Sequence, residues 1–236
     1  MNKVQQFYDE MYKKNKKQFK PGGILGWFFL KLRRFELHRI ILAYRLMNPG
    51  KRFLDLGMGN GDLMKIAQRT KFDEVYGVDI SKNNLKYARK NLAGKLPKKK
   101  WFIKWADIDD KIPYPDNYFD TITALAVLEH IFDPYCVIKE IRRVLKQDGF
   151  LIICVPNIAW LPHRLNLLLG RLPRTADEMG WDGGHLHYFT FQTTKNFLRE
   201  SNFKIFHQDT SGIFASIKRI YPSLLGGDIF IVAQKE

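Results

Sequence analysis

The sequence predicts an α/β fold: a seven-stranded, mostly parallel sheet with an N-terminal helical cap and an inserted lid. Three features lead there. Short, continuously apolar runs alternate with amphipathic helical segments over residues 51–155, a pattern that requires right-handed crossovers onto a parallel sheet. A glycine-rich turn falls where the first apolar run meets the first helical segment, the place where open α/β sheets bind ligands. The positive charge is crowded ahead of this region: residues 1–52 hold 13 Lys+Arg against Asp9, Glu10 and Glu36, a net of +10 out of +15 for the chain.

Residues 1–48 read as the basic helical cap, broken at Lys20-Pro21-Gly22-Gly23, with apolar residues at helical spacing from Leu25 to Met47. Residues 49–236 read as the main domain. Its strands are expected at Phe53–Leu56, Glu74–Val78, Trp101–Lys104, Phe119–Leu125 and Phe150–Val155, with helices at Asp62–Arg69, Ser81–Asn91 and Pro134–Lys146. The last helix is the best specified. Asp133 can cap it, Pro134 suits the first turn, Val137, Ile138, Ile141, Val144 and Leu145 form one apolar stripe, and Gly149 lies just beyond its end. Residues 156–187, rich in Pro, Gly, Arg and aromatics, form the expected lid. A helix over Thr190–Ser201 and strands near Phe203–Gln208 and Asp228–Ala233 complete the sheet.

Composition narrows the function classes. In 236 residues, 45% hydrophobic and 14% aromatic content supports one full domain with a core and excludes a mainly disordered chain. Cys136 and Cys154 stand without CxxC or Cys/His spacing, so neither a disulfide framework nor a zinc site is supported and a reducing, cytoplasmic setting is expected. The apolar run Ile24–Leu30 is far short of the roughly 18 residues that span a bilayer. Met1–Lys20 has no apolar core followed by a small-residue cleavage site, so no secretory signal is expected.

The segment Asp55-Leu56-Gly57-Met58-Gly59-Asn60-Gly61 sits at the first strand–helix junction. Gly57 and Gly59 would let the chain turn sharply and bring its backbone against a ligand, and Gly61 would relieve crowding at the helix start; a plain structural turn is the competing reading. Asp79, 22 positions after Gly57, falls at the tip of the second strand. A carboxylate there can accept from both hydroxyls of a ribose, which implies an adenosine-containing cofactor. The alternative is that Asp79 caps the next helix, but Ser81 can do so itself, leaving Asp79 for the ligand. A dinucleotide would be read as G-x-G-x-x-G, whereas these glycines alternate, so an NAD-dependent oxidoreductase is a distant choice.

Asp55-x-Gly57-x-Gly59-x-Gly61 followed by Asp79 resembles the first motifs of the class I S-adenosylmethionine-dependent methyltransferases, whose sheet is Rossmann-like. The likeness continues through Ala106–Asp120, Leu125-Ala126-Val127-Leu128-Glu129-His130 and Val144–Phe150, where Gln147-Asp148-Gly149 replaces a common Pro-Gly-Gly ending. These segments are similar to the small-molecule, ubiquinone-type (type 11 and 23-like) branch, as is Gly183–Thr190. The resemblance implies S-adenosyl-L-methionine as cofactor, held by Asp55, Gly57, Met58, Gly59, Gly61, Asp79, Ile80, Asp107, Ile108, Ala124 and Leu125, with Asp107 at the adenine amino group and the Ile108 amide facing the ring. The sulfonium already activates its methyl group, so the protein need only align an acceptor and exclude water.

His130 follows Glu129 at the end of the fourth strand and could be a general base; alternatively the pair orders the loop into the Pro134 helix. In some ubiquinone-pathway relatives this Glu-His pair and a further acid hold a divalent metal, but three positions before Glu129 stands Ala126, which cannot ligate, so no metal is expected. His185 and His187, beside the Gly183-Gly184 hinge and Trp181, would share a face if locally extended, with Tyr188 opposite, and could close over a substrate; a purely structural pair competes with this.

The acceptor is expected to be small or lipid-like, with oxygen as the leading atom. Ala124-Leu125-Ala126 replaces the Asn/Asp-Pro-Pro-aromatic motif of exocyclic-amine methylation, and neither cysteine sits where carbon-5 methylation of cytosine needs one. Nucleic acid is therefore the less favoured partner, an RNA methyltransferase using the basic N-terminus being the first rival and a non-catalytic cofactor-binding protein the second. Trp27–Arg34 and Trp160–Arg171 combine bulky apolar residues with cations and almost no acid, which suits peripheral contact with an anionic membrane, an amphiphilic substrate, or simple packing. Nothing in the sequence specifies the acceptor or an oligomeric state.

Overall fold

The structure is a computed structural model that describes residues 39–94, 100–176, 181–211 and 220–236. Most of the expected helical cap therefore lies outside the described residues. Its end is helix α1 (Arg39–Leu46), whose Leu42 and Ala43 are buried, followed by the buried Met47.

Seven strands follow: β1 (Gly50–Leu56), β2 (Phe72–Asp79), β3 (Trp101–Trp105), β4 (Phe119–Leu125), β5 (Leu145–Pro156), β6 (Phe203–Ser211) and β7 (Asp228–Lys235). They form one sheet in the order β3-β2-β1-β4-β5-β7-β6. The first five pair in parallel, and β7 is antiparallel to both β5 and β6. The order reverses between β1 and β4, which places the crevice for a ligand at the carboxyl ends of these two strands. Every predicted strand is present; most run longer than their apolar runs because polar ends join the ladder.

Helix α2 (Asp62–Thr70) begins at Gly61, and α3 (Lys82–Leu92) at Ser81, whose hydroxyl accepts from Asn84 N. Helix α4 (Pro134–Val144) starts as predicted, with Asp133 accepting from Tyr135 N and Cys136 N. It ends two residues earlier than expected, because Leu145 enters β5 and Asp148 turns the chain at φ 60°. Val137, Ile138, Ile141 and Val144 are fully buried, as the stripe requires; burial of each such aliphatic side chain contributes about 1.5–3 kcal/mol.

The expected lid begins where β5 ends. It contains α5 (Leu161–Leu168) and a 3-10 turn, Trp181–Gly184. Its two ends meet: Asn157 and Phe189 form a parallel bridge, and Ile158 N donates to Phe189 O at 3.0 Å. Asn157 is fully buried, and its Nδ2 donates to Ser223 O and Gly226 O at 3.0 and 2.8 Å, beside the short helix α7 (Pro222–Leu225). Helix α6 (Phe191–Glu200) then opens with a capping box between Thr190 and Thr193. Among the described residues, no helix is long and apolar enough to cross a membrane.

Candidate active site

The loop from β1 to α2 is backbone-built. Gly57, Gly59 and Gly61 all have left-handed φ, at 63°, 54° and 77°, a conformation open to glycine and strained for other residues. Their surroundings differ. A Cβ on Gly57 would lie 2.6 Å from Val127 Cγ2, so this glycine lets the loop press against the turn after β4; a Cβ on Gly59 would meet nothing within 4 Å. The loop thus presents an open, backbone-lined face at Gly59. Met58 points into the core instead: it is buried against Gly77, and its N donates to Val78 O at 3.1 Å. Of the predicted contacts, Met58 can offer only backbone.

Asp55 is also enclosed. Its carboxyl accepts from Thr123 Oγ1 at 2.7 Å; burial pushes it up to about 7, nearby Asp79 adds to this, and the threonine hydroxyl opposes it. Through Thr123 it fastens β1 to β4 at the start of the glycine loop.

Asp79 stands at the tip of β2, beside the glycine loop as expected, but it is not left over by Ser81. Oδ2 accepts from Gly59 N at 2.9 Å, Oδ1 accepts from Ser81 N at 2.8 Å, and Asn84 Nδ2 reaches both oxygens at 3.2 Å. One carboxylate therefore ties the glycine loop, the β2 tip and helix α3 together. Nearby, Ile80 O accepts from Trp105 Nε1 at 2.8 Å, Asp107 is half-buried with Oδ1 accepting from Asp109 N at 3.2 Å, and Ile108 is buried. Ala106 N donates to Asp79 O at 3.3 Å, so the Asp107 loop adjoins the β2 tip.

At the end of β4, Ala124 is fully buried between Leu56 and Ile153, and Leu125 is half-buried. Ala126 has φ 57° and donates its N to Cys154 O at 2.8 Å. A left-handed alanine costs about 1–2 kcal/mol, and such strain collects at functional turns. The 3-10 turn Leu128–His130 follows directly.

Two of the three candidate histidines, His130 and His185, come together, and His187 lies apart from their contact. His130 Nδ1 lies 3.3 Å from Gly184 O, and its ring packs edge-on against His185 with centroids 4.7 Å apart. Burial, with His185 as the second cause, pushes His130 down to about 4 against the opposing Gly184 carbonyl. The ring is neutral at pH 7. His185 is buried, with Nδ1 2.6 Å from Thr175 Oγ1. His187 is half-exposed, with Nε2 3.3 Å from Phe132 O. His185 packs inward on Asp182 and Thr175, while His187 meets the loop before α4.

Several contributing contacts come from residues far apart in the chain. Asp182, at φ 45°, accepts from Thr175 N and Oγ1 at 2.6 Å each and from Ala176 N at 3.1 Å. Burial raises its pKa, but these donors hold it below the usual carboxylate range. Glu129 O accepts from Leu186 N and His187 N at 2.7 and 3.2 Å, and its side chain joins His130 and His185 in a cluster suited to a metal ion. The expectation of no metal rested on Ala126; the structure supplies His185 as a third donor. No local pattern announces these contacts, apart from Asn84, whose place three residues after the Ser81 cap puts it near Asp79.

Comparison with known proteins agrees with the geometry. A family model described as a methyltransferase domain matches residues 54–153. The ubiquinone/menaquinone biosynthesis C-methyltransferase UbiE of Paraburkholderia phymatum is 34% identical over 132 residues, 53% of this chain and 53% of that protein. The chain spans about half the length of the curated relatives it matches. Among solved structures, an S-adenosylmethionine-dependent methyltransferase from Mesorhizobium loti aligns with a TM-score of 0.61 and 20% identity, over 83% of this chain and 97% of that one. A chain of the complex between the Haloferax volcanii Trm112 methyltransferase activator and a methyltransferase aligns with a TM-score of 0.62 and 17% identity, over 88% and 93%. At these identities the structural likeness concerns the fold.

Proposed function

The chain carries a class I S-adenosylmethionine-dependent methyltransferase domain, and from that premise we propose that it moves a methyl group from S-adenosylmethionine to a small or amphiphilic acceptor. The observation that carries this reading is the glycine loop: three left-handed glycines, open space above Gly59, and Asp79 hydrogen-bonded to the Gly59 amide. When bound, the cofactor supplies a methyl group already activated by its sulfonium.

The chain's own residues do the rest. The Gly57–Gly61 backbone and the strand end at Ala124–Leu125 would hold the methionine part. Asp79 would accept from the ribose hydroxyls, exchanging the two Asn84 contacts, which at 3.2 Å are its longest. Asp107 and the Ile108 amide would face the adenine. Next to the turn after β4, His130 offers a neutral imidazole rather than a charge, which suits an acceptor that must lose a proton on methylation. A hydroxyl, the leading expectation from the sequence, and an activated ring carbon both meet that condition. The relatives named C-methyltransferases act on carbon, which favours testing both.

An amphiphilic acceptor is supported by the inserted segment. Leu165, Leu167, Leu168, Leu169 and Leu172 are exposed, and Arg164, Arg171 and Arg174 lie among them without an acid between residues 157 and 176. Such a surface suits a lipid-like molecule or contact with anionic lipid. Incubation with methyl-labelled cofactor and a cell extract separated into lipid, RNA, protein and small metabolites tests the proposal. Label in the lipid or small-metabolite fraction is expected. Label confined to RNA overturns the acceptor class, and tight cofactor binding without label anywhere overturns the activity.

A further inference from the structure

The Asp79 carboxylate is saturated by the chain itself. Hydrogen bonds reach its oxygens from Gly59 N at 2.9 Å, from Ser81 N at 2.8 Å and from Asn84 Nδ2 at 3.2 Å to each oxygen, and these contacts alone meet the roughly four acceptor positions of a carboxylate. A ribose hydroxyl therefore reaches Asp79 only by displacing a donor. The donors differ in what displacement demands. Gly59 N is fixed by the left-handed turn of the glycine loop and Ser81 N by the start of α3, so neither withdraws without moving backbone. Asn84 Nδ2 ends a side chain that leaves by rotamer change. Local geometry explains why this amide is there. Asn84 is the third helical residue of α3, and its N donates to Ser81 Oγ at 3.3 Å; at that position a capping box turns the side chain back to accept from the N-cap amide. Asp79 already takes that amide, so Asn84 presents its NH2 group to the carboxylate instead. Both residues are buried, so a donor lost there is not simply replaced by bulk water.

On the reading that Asp79 receives the ribose, we propose that Asn84 competes with the ribose for this carboxylate, and so sets how tightly the adenosyl group is held and how strongly both ribose hydroxyls are required. Each hydroxyl that donates to Asp79 replaces an Asn84 contact of the same kind, so the net gain from the exchange is small. A nucleoside lacking the 2′-hydroxyl forfeits little, because Asn84 keeps the oxygen that the missing group would have taken. With the amide removed, the buried carboxylate lacks two donors until the ribose supplies them. Binding then gains two charge-assisted hydrogen bonds, and a deoxy ligand leaves an acceptor unmet. Asn84 is in this sense a built-in substitute for the diol. It loosens the grip on the adenosyl group that cofactor and demethylated product share, which favours release after transfer.

The test measures binding to the full chain by calorimetry, with S-adenosylhomocysteine as the probe of affinity and adenosine against 2′-deoxyadenosine as the probe of discrimination. Asn84→Leu, which fills the space without a donor, should tighten S-adenosylhomocysteine about tenfold. It should also widen the preference for adenosine from about threefold or less to about tenfold or more. Asn84→Ala admits water to the carboxylate and should tighten binding about threefold; if Asn84→Leu does not fold, this variant decides by itself. Both variants should unfold at a lower temperature than wild type when measured alone, and gain more than wild type from saturating ligand. An asparagine with a purely structural role gives the opposite result, with all three ligands bound more weakly and in step. Such uniform weakening in variants whose circular dichroism matches wild type, or an unchanged preference for adenosine, overturns the competition and leaves the cofactor site standing. Wild type that binds no adenosyl ligand overturns both.

Discussion

Around the tips of β1 and β2 the site is made of backbone, whereas around the end of β4 it is made of side chains from distant parts of the chain. In the first region, three glycines set the loop and one carboxylate, Asp79, fastens it to the two elements beside it. In the second, His130 and His185 meet only because the insert folds back, across a separation of 54 residues at the Gly184 contact. The difference teaches that one part of a site can be set by local geometry, while another needs groups that only tertiary structure brings together.

The sharpest break between the regions should come from Gly57→Ala and Gly59→Ala. At Gly57 the added methyl meets both a left-handed φ and Val127 Cγ2, so a stability loss of about 2–5 kcal/mol is expected by thermal denaturation. At Gly59 the space is open, so stability should fall by only about 1–2 kcal/mol from backbone strain, while calorimetry should show cofactor affinity lost. Equal unfolding temperatures for the two variants would contradict this division. His130→Ala should depress turnover by about a hundredfold while cofactor affinity stays at the wild-type value, and a parallel loss of both would merge the regions. Asp79→Ala should weaken cofactor binding by at least about tenfold, as removal of hydrogen bonds to a charged group implies; unchanged affinity rejects its ribose role.

The remaining prediction concerns Asp55 and reads pH rather than the cofactor. Its carboxyl is held at about 7 in the folded protein, against about 3.9 in an unfolded chain. The unfolded state therefore releases its proton first, and this residue's contribution to stability falls as pH rises from about 4 to about 7, then stays low. Asp55→Asn should gain in unfolding temperature relative to wild type at pH 8 compared with pH 4.5. A gap that does not change with pH would show that Asp55 ionises normally.

Much of the first region was legible in the sequence because its requirements are local. A left-handed turn asks for glycine at fixed positions, a β2 tip two residues before a serine cap places Asp79, and Asp133-Pro134 followed by a 3.6-residue stripe specifies α4. What local reading missed is equally physical. Asp79 was expected to stand ready for a ligand, yet Asn84 and two backbone amides already occupy it. Met58 carries no mark in the motif to say that its side chain turns inward onto Gly77. The Glu129–His130–His185 cluster is invisible to spacing rules, since Ala126 argued against a metal and His185 becomes a neighbour only after the insert closes.

The bridge between Asn157 and Phe189 has an evolutionary and practical consequence. The excursion leaves and rejoins the body at this bridge and is tied again to the turn after β4, where Leu186 N and His187 N donate to Glu129 O. Between these ties its length can change at little cost, the entropy of closing a longer loop growing only logarithmically. Grafting a different stretch between the bridge and the Glu129 contacts would show how far this segment, rather than the sheet, sets what the site admits.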